Sequence, residues 1–260
     1  MSDGHRVNYE TRDNIAYIMM DRPPVNAIDN AMVRALHAAL KRAAADKRIR
    51  AIVIGSAIKG VFCGGMDLHM AASSTSLQIR DFLRAFYIGT MDIQYDLPKP
   101  VIASINGPAR GAGMTIAITC DVVLAADDID LAYPEIDVGQ IPAIHYVHLP
   151  RQISRHKAFE LLFGGLPIAA AEACELGLIN RLTPRDELES ATHSMACLFA
   201  EKSPTVMALS RQSFLRANDL DYRRNIENQI ETFCNVFATD DGREGIKAFV
   251  EKRQPRWHGD

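Results

Sequence analysis

Asn106-Gly107-Pro108-Ala109-Arg110-Gly111-Ala112-Gly113-Met114-Thr115 follows the apolar run Val101 to Ile105 and leads into a helical pattern. A buried strand that empties into a glycine-rich turn and then a helix is the unit of an α/β layered fold. Glycines permit positive φ and close backbone approach, and the first turn of a helix leaves N–H groups unpaired and aimed outward. The same arrangement occurs earlier, where Phe62-Cys63-Gly64-Gly65-Met66-Asp67-Leu68 follows a strand expected over Ile49 to Ile54. Either turn alone reads as a tight reversal. Together they offer two sets of fixed donors, which is what a carbonyl oxygen needs when it becomes negative.

Around these turns the pattern is regular. Val7-Asn8-Tyr9 alternates and Ile15 to Met20 is apolar, which predicts a hairpin about Arg12-Asp13-Asn14. Pro23-Pro24 breaks the chain, and Asp29 is placed to cap a helix with Met32, Leu36, Ala39 and Leu40 on one face. Helical spacing resumes from Leu77 to Tyr95 and stops before Pro98 and Pro100. Ile116 to Ala126 begins as helix and ends as strand, with Asp121 between. From Ala143 onward the signals are mainly helical, and the last third is expected to be all-helical. No internal repeat, low-complexity stretch or like-charge block interrupts this order.

The 260 residues can bury a substantial core, and 48% hydrophobic with 23% charged residues is an ordinary globular balance. A formal charge of −3 gives no basic excess, so nucleic acid is not an expected partner. Met1 to Arg12 has no apolar core of a signal peptide, and no run of about 18 apolar residues follows; neither secretion nor a membrane span is expected. Cys63, Cys120, Cys174, Cys197 and Cys234 form no CxxC pair, and their odd number points to free thiols in a reducing cytoplasm.

A carboxylate occurs in Tyr133-Pro134-Glu135-Ile136-Asp137-Val138-Gly139, where partial burial would bring Glu135 toward the working pH and suit it to move a proton at carbon. These three segments, preceded by Asp21-Arg22-Pro23-Pro24-Val25-Asn26-Ala27 and closed by Asp241 to Arg253, resemble in order and spacing the enoyl-CoA hydratase/isomerase family, the crotonase superfamily. The resemblance covers nearly the whole chain. It implies an α/β fold, a crotonase-like spiral of ββα units, with residues 1–197 as the acyl-CoA-binding core and 198–260 as an all-helical region that forms a homotrimer or dimer of trimers.

By the same resemblance the oxyanion donors are the amides of Met66 and Ala112, the latter standing where the family usually has glycine. The substrate, an acyl-CoA thioester of the kind met in fatty acid metabolism, would lie along Val25, Ala27, Gly64, Asp67 and Leu68, with Gly111 and Pro134 beside it. Adenine and phosphate would sit near Lys59, Phe249 and Lys252, the last two from the same or a neighbouring subunit. No separate cofactor is implied, because coenzyme A enters as part of the substrate. Two acid/base positions, both glutamate in ordinary hydratases, here read Thr115 and Glu135. Thr115 cannot serve as a carboxylate base, so a two-carboxylate scheme for adding water is incomplete. Isomerisation, hydration with one glutamate, thioester hydrolysis, carbon–carbon cleavage and non-catalytic acyl-CoA binding all remain open at this point. The form Gly65-Met66-Asp67-Leu68 is similar to that of the hydroxycinnamoyl-CoA hydratase-lyases.

Asp137, His145 and His148 are further candidate groups. His145 and His148 share a helical face, but no third ligand accompanies them and no metal is expected. Residues Ala71 to Tyr95 are expected to shape the acyl pocket, by analogy with the family's most variable segment.

Overall fold

A computed structural model describes residues 6–218 and 221–257; the start of the N-terminal stretch read above as free of a targeting signal lies outside the described residues. Strands β1 (Val7–Arg12) and β2 (Ile15–Met20) pair antiparallel as the expected hairpin. Asp13 and Asn14 take φ of 51° and 62° in its turn, a region these two side chains tolerate better than most. Helix α1 (Asn30–Ala45) starts as predicted, with Asp29 accepting from the Met32 amide at 2.7 Å and Met32, Leu36, Ala39 and Leu40 buried.

Strand β3 (Ala51–Ser56) runs parallel to β2 and is buried along its whole length. Helix α2 (Leu68–Ala72), helix α3 (Ser76–Leu83), a π-helical turn (Arg84–Gly89) and helix α4 (Thr90–Asp96) follow. Thr75 and Gln78 close α3 with a reciprocal capping box. Next come β4 (Val101–Ile105), β5 (Ala109–Arg110), α5 (Ala112–Ile118), β6 (Val122–Ala126) and β7 (Asp130–Ala132). A 3₁₀ turn (Pro134–Val138) leads to α6 (Ala143–Gln152), α7 (Arg155–Gly164), β8 (Ile168–Ala169), α8 (Ala170–Glu175), β9 (Arg181–Thr183) and α9 (Leu188–Ala200). The chain closes with α10 (Pro204–Asn218), α11 (Tyr222–Ala238) and α12 (Asp240–Val250).

The main sheet has the order β1-β2-β3-β4-β6-β9 and is parallel from β2 onward; β5, β7 and β8 form a smaller sheet. The fold is therefore mixed α/β with a helical C-terminal region, as read from sequence. One expectation needs correction. The last third is not all-helical, because β9 extends the main sheet beside β6, and β8 likewise falls within the stretch read as mainly helical. Both strands are three residues or shorter, too short for any period to register. Among the described residues no helix is long and apolar enough to cross a membrane, and all five cysteines are free.

The C-terminal helices return to the same chain. α11 packs on α3 and α6, and α12 packs on α2 and on the Pro134–Val138 turn, so both close over the strand-to-helix turns. Helix α10 is anchored by one buried cation. Arg211 donates from Nη1 to the carbonyls of Gln94 (2.6 Å) and Leu97 (2.8 Å) and from Nε to Asp121 Oδ2 (2.8 Å). The Asp121 carboxylate also accepts from the Val101 amide, tying the end of α4 to the starts of β4 and β6. Removing the guanidinium leaves the Gln94 and Leu97 carbonyls without this donor and takes the counter-ion from the Asp121 carboxylate. Arg211→Met should lower the unfolding free energy by about 3–5 kcal/mol in urea titration; a loss under roughly 0.5 kcal/mol would mean that water replaces the cation freely.

Candidate active site

The two glycine-rich turns lie side by side because β3 and β4 are adjacent and parallel. Phe62 and Cys63 both donate their amides to the Pro108 carbonyl, and Arg110 N–H donates to Cys63 O at 3.0 Å. Cys63 thus bridges Ala109 as a one-residue parallel pair. Gly113 is pressed on this bridge, where a Cβ would lie 2.9 Å from Cys63 O.

A second bridge joins Ile28 to Met66. Ile28 N–H donates to Gly65 O and Asp67 N–H donates to Ile28 O, so the pairing passes over the Met66 amide. In the other turn Gly111 N–H donates to Ala132 O, while Ala112 opens α5 and its amide lies outside the helical ladder. Among the described residues neither the Met66 nor the Ala112 amide has an acceptor. Both residues border one cavity of about 680 Å³.

Glu135 faces that cavity from the 3₁₀ turn. A Cβ at Gly111 would come within 2.5 Å of Glu135 Oε1, and Gly111 already has φ of 43°, so only glycine leaves room for the carboxyl there. Oε2 is shut off from water and has no partner among the described residues. Burial pushes the Glu135 pKa up to about 7, which puts a carboxyl able both to take and to give a proton near neutrality.

The upstream motif is held by charge and by one amide. Arg22 reaches Asp67 Oδ2 (2.5 Å) and the Ala27 carbonyl (2.6 Å), and Asp67 caps α2 through the His69 and Met70 amides. Burial alone would raise the Asp67 pKa; Arg22 and the two amides together bring it below the ordinary value. Asn26 is fully buried at φ of 52°, donates to Ser56 Oγ (2.8 Å) and Phe62 O (3.0 Å), and accepts from Arg22 N–H.

Val25, Ala27, Gly64, Met66, Asp67, Leu68, Gly111, Ala112, Pro134, Glu135 and Phe249 therefore converge on the cavity, as does Asp137. Thr115, Lys59 and Lys252 do not line it. Thr115 is buried, with Oγ1 at 3.3 Å from His145 Nε2, and both lysines are exposed. His145 is buried behind the same turn, and His148 pairs with Tyr222 Oη at 3.0 Å. Among the described residues no cluster of three metal-ligating side chains occurs.

The apolar end of the cavity is formed by Phe82, Leu83, Phe86 and Tyr87, within the segment expected to shape an acyl pocket, and by Phe233 of α11. Phe86 and Tyr87 face it from the π-helical turn, a local widening that sequence periodicity does not reveal. Phe233 has the spacing of an ordinary core position, and only the return of α11 brings it here. The structural role of Asn26 was equally hidden.

Comparison with known proteins agrees in extent with this geometry. The enoyl-CoA hydratase/isomerase family model matches residues 10–260. A probable enoyl-CoA hydratase from Bacillus subtilis is 31% identical over 95% of this chain and 96% of its own length. Carnitinyl-CoA dehydratase from Proteus mirabilis is 31% identical over 96% of this chain and 97% of its own. Among solved structures, carnitinyl-CoA hydratase from Mycobacterium avium superposes with a TM-score of 0.86 at 30% identity, covering 98% of this chain and 99% of that one.

The buried carboxyl makes stability depend on pH. A pKa raised by folding means that the folded chain holds the proton more tightly than the unfolded chain. The resulting stability is fully present below the ordinary glutamate value and is lost as pH rises through about 7. Glu135→Gln, which cannot ionise, should therefore gain on the wild type between about pH 4.5 and 8, by at most about 3 kcal/mol. A difference that stays constant in denaturant titrations across that range would place an ionised Glu135 in the fold.

Proposed function

Since the chain belongs to the enoyl-CoA hydratase/isomerase family, we propose that it moves a proton at the carbon beside an acyl-CoA thioester with Glu135 as its single acid/base. The observation that carries this reading is the convergence on one cavity with an apolar end of a carboxyl protonatable near neutrality, its Oε2 without a partner among the described residues, and two amides that have no acceptor there. The thioester carbonyl would accept from the Met66 and Ala112 amides. Donors fixed before reaction favour the oxygen as it gains charge, so the enolate is stabilised over the bound ester.

Glu135 then takes a proton from one carbon and returns it to another, which shifts a double bond without a second base. Thr115 takes no part as acid or base, because it lies outside the cavity and has no carboxylate. The acyl chain lies against Phe82, Phe86 and Phe233, and the pantetheine along Val25, Ala27 and Leu68. Lys59 and Lys252, exposed beyond the cavity, would meet the coenzyme A phosphates, and the C-terminal helices would pack a homotrimer or a dimer of trimers. A second reading, hydration, is favoured by the hydratase and dehydratase names of the relatives. There the oxygen of water adds to the β-carbon as Glu135 takes one of its protons, the double-bond electrons pass into the enolate, and Glu135 returns that proton to the α-carbon.

Purified protein incubated with 3-enoyl, 2-enoyl and aromatic acyl-CoA thioesters separates the two by mass spectrometry. An unchanged mass with a moved double bond is the expected product, and a gain of one water would select hydration. Glu135→Gln should lower turnover about 10²- to 10⁴-fold while acyl-CoA still binds. Turnover within twofold of wild type would remove Glu135 from the chemistry.

A further inference from the structure

We infer that His145 is a positioning residue that strengthens the Ala112 amide as a donor by bonding the other end of the same peptide group. This rests on the reading that the Ala112 amide receives the thioester oxygen. His145 Nε2 lies 3.3 Å from the Gly111 carbonyl oxygen and 3.3 Å from Thr115 Oγ1. Gly111 C=O and Ala112 N–H belong to one planar peptide unit. The carbonyl already accepts from the Thr115 amide at 3.0 Å, so the imidazole supplies its second bond. A carbonyl drawn toward donors polarises its peptide, and the N–H at the opposite end donates more strongly; such bonds in series reinforce one another in a low-dielectric interior.

The tautomer follows from the partners. Gly111 O only accepts, so Nε2 carries the proton. Nδ1 is buried and has no partner among the described residues, which suits a bare lone pair better than an orphaned N–H. The ring cannot swing away. It is 1% exposed, and the Tyr133 ring packs edge-on against it at 4.5 Å between centroids. Burial lowers its pKa to about 3, so the donor is a neutral imidazole across the working range, and His145 adds no charge near Glu135. Thr115 shares the three-centre bond, which gives the hydroxyl at this position a task other than proton transfer.

Glutamine and asparagine distinguish this role from simple packing. A Gln side-chain amide can place its nitrogen where Nε2 sits, whereas Asn is too short to reach. His145→Asn should lower kcat roughly three- to tenfold with KM changed less than twofold, and His145→Gln should keep most of the activity. A second readout needs no turnover. Butyryl-CoA labelled with carbon-13 at the thioester carbonyl should show a lowered C=O stretching frequency on binding wild type, His145→Gln and Glu135→Gln. His145→Asn should return part of that shift toward the free value.

An unchanged frequency and kcat in His145→Asn would overturn the role of His145 alone. So would equal losses in Asn and Gln variants with the carbonyl shift preserved, since that is the mark of a packing defect. No shift on binding to wild type would overturn the oxyanion reading, and the present inference with it. If His145→Asn does not fold, a His145→Gln carbonyl frequency equal to the free ligand's would refute the proposal.

Discussion

The Cys63 to Ala109 bridge is the contact on which the site depends, because it locks two strand-to-helix turns edge to edge. Adjacent parallel strands deliver both turns to the same side of the sheet, but parallel pairing alone would leave them free to splay. The Pro108 carbonyl, shared by the Phe62 and Cys63 amides, and the Arg110 to Cys63 bond close that freedom. The approach is possible only without side chains. A Cβ at Gly107 would fall 2.3 Å from the Gly60 carbonyl, and one at Gly113 would strike Cys63. With the turns held this way, the amides of Met66 and Ala112 are left outside the pairing and border one space.

The same closeness sets the electrostatics. Glu135 is pressed against Gly111, out of reach of water at one oxygen and without a counter-ion among the described residues, so its ionised form is disfavoured. By contrast Asp67, a few residues from the first turn, is met by Arg22 and two amides and stays ionised. Two carboxylates bordering one cavity are thus driven in opposite directions by their neighbours, which leaves one protonatable near neutrality and the other an ionised anchor for the turn. A desolvated carboxyl at the cavity wall destabilises the folded chain as it ionises, and the extensive core elsewhere offsets that cost.

Much of the local structure was legible in the chain. The Asp29 cap, the Asp13-Asn14 turn, the strand before each glycine turn and the start of α5 are set by neighbours within a few residues, so pattern and turn chemistry reveal them. β8 and β9 were missed because a two- or three-residue strand is made by its partner strand and has no period of its own.

For the site, the sequence by itself determined which chemical groups exist: one glutamate beside proline, a threonine where a second carboxylate could have stood, and two glycine turns with amides to spare. Tertiary structure alone decided which of them meet. It set Thr115 against His145 outside the cavity lining, brought Phe233 to the cavity from the far end of the chain, and left Lys59 and Lys252 outside it. The reason is physical. Donor and acceptor types and turn geometry are local properties of the chain, whereas burial, orphaned bonds and shifted pKa values are fixed by what packs against a group.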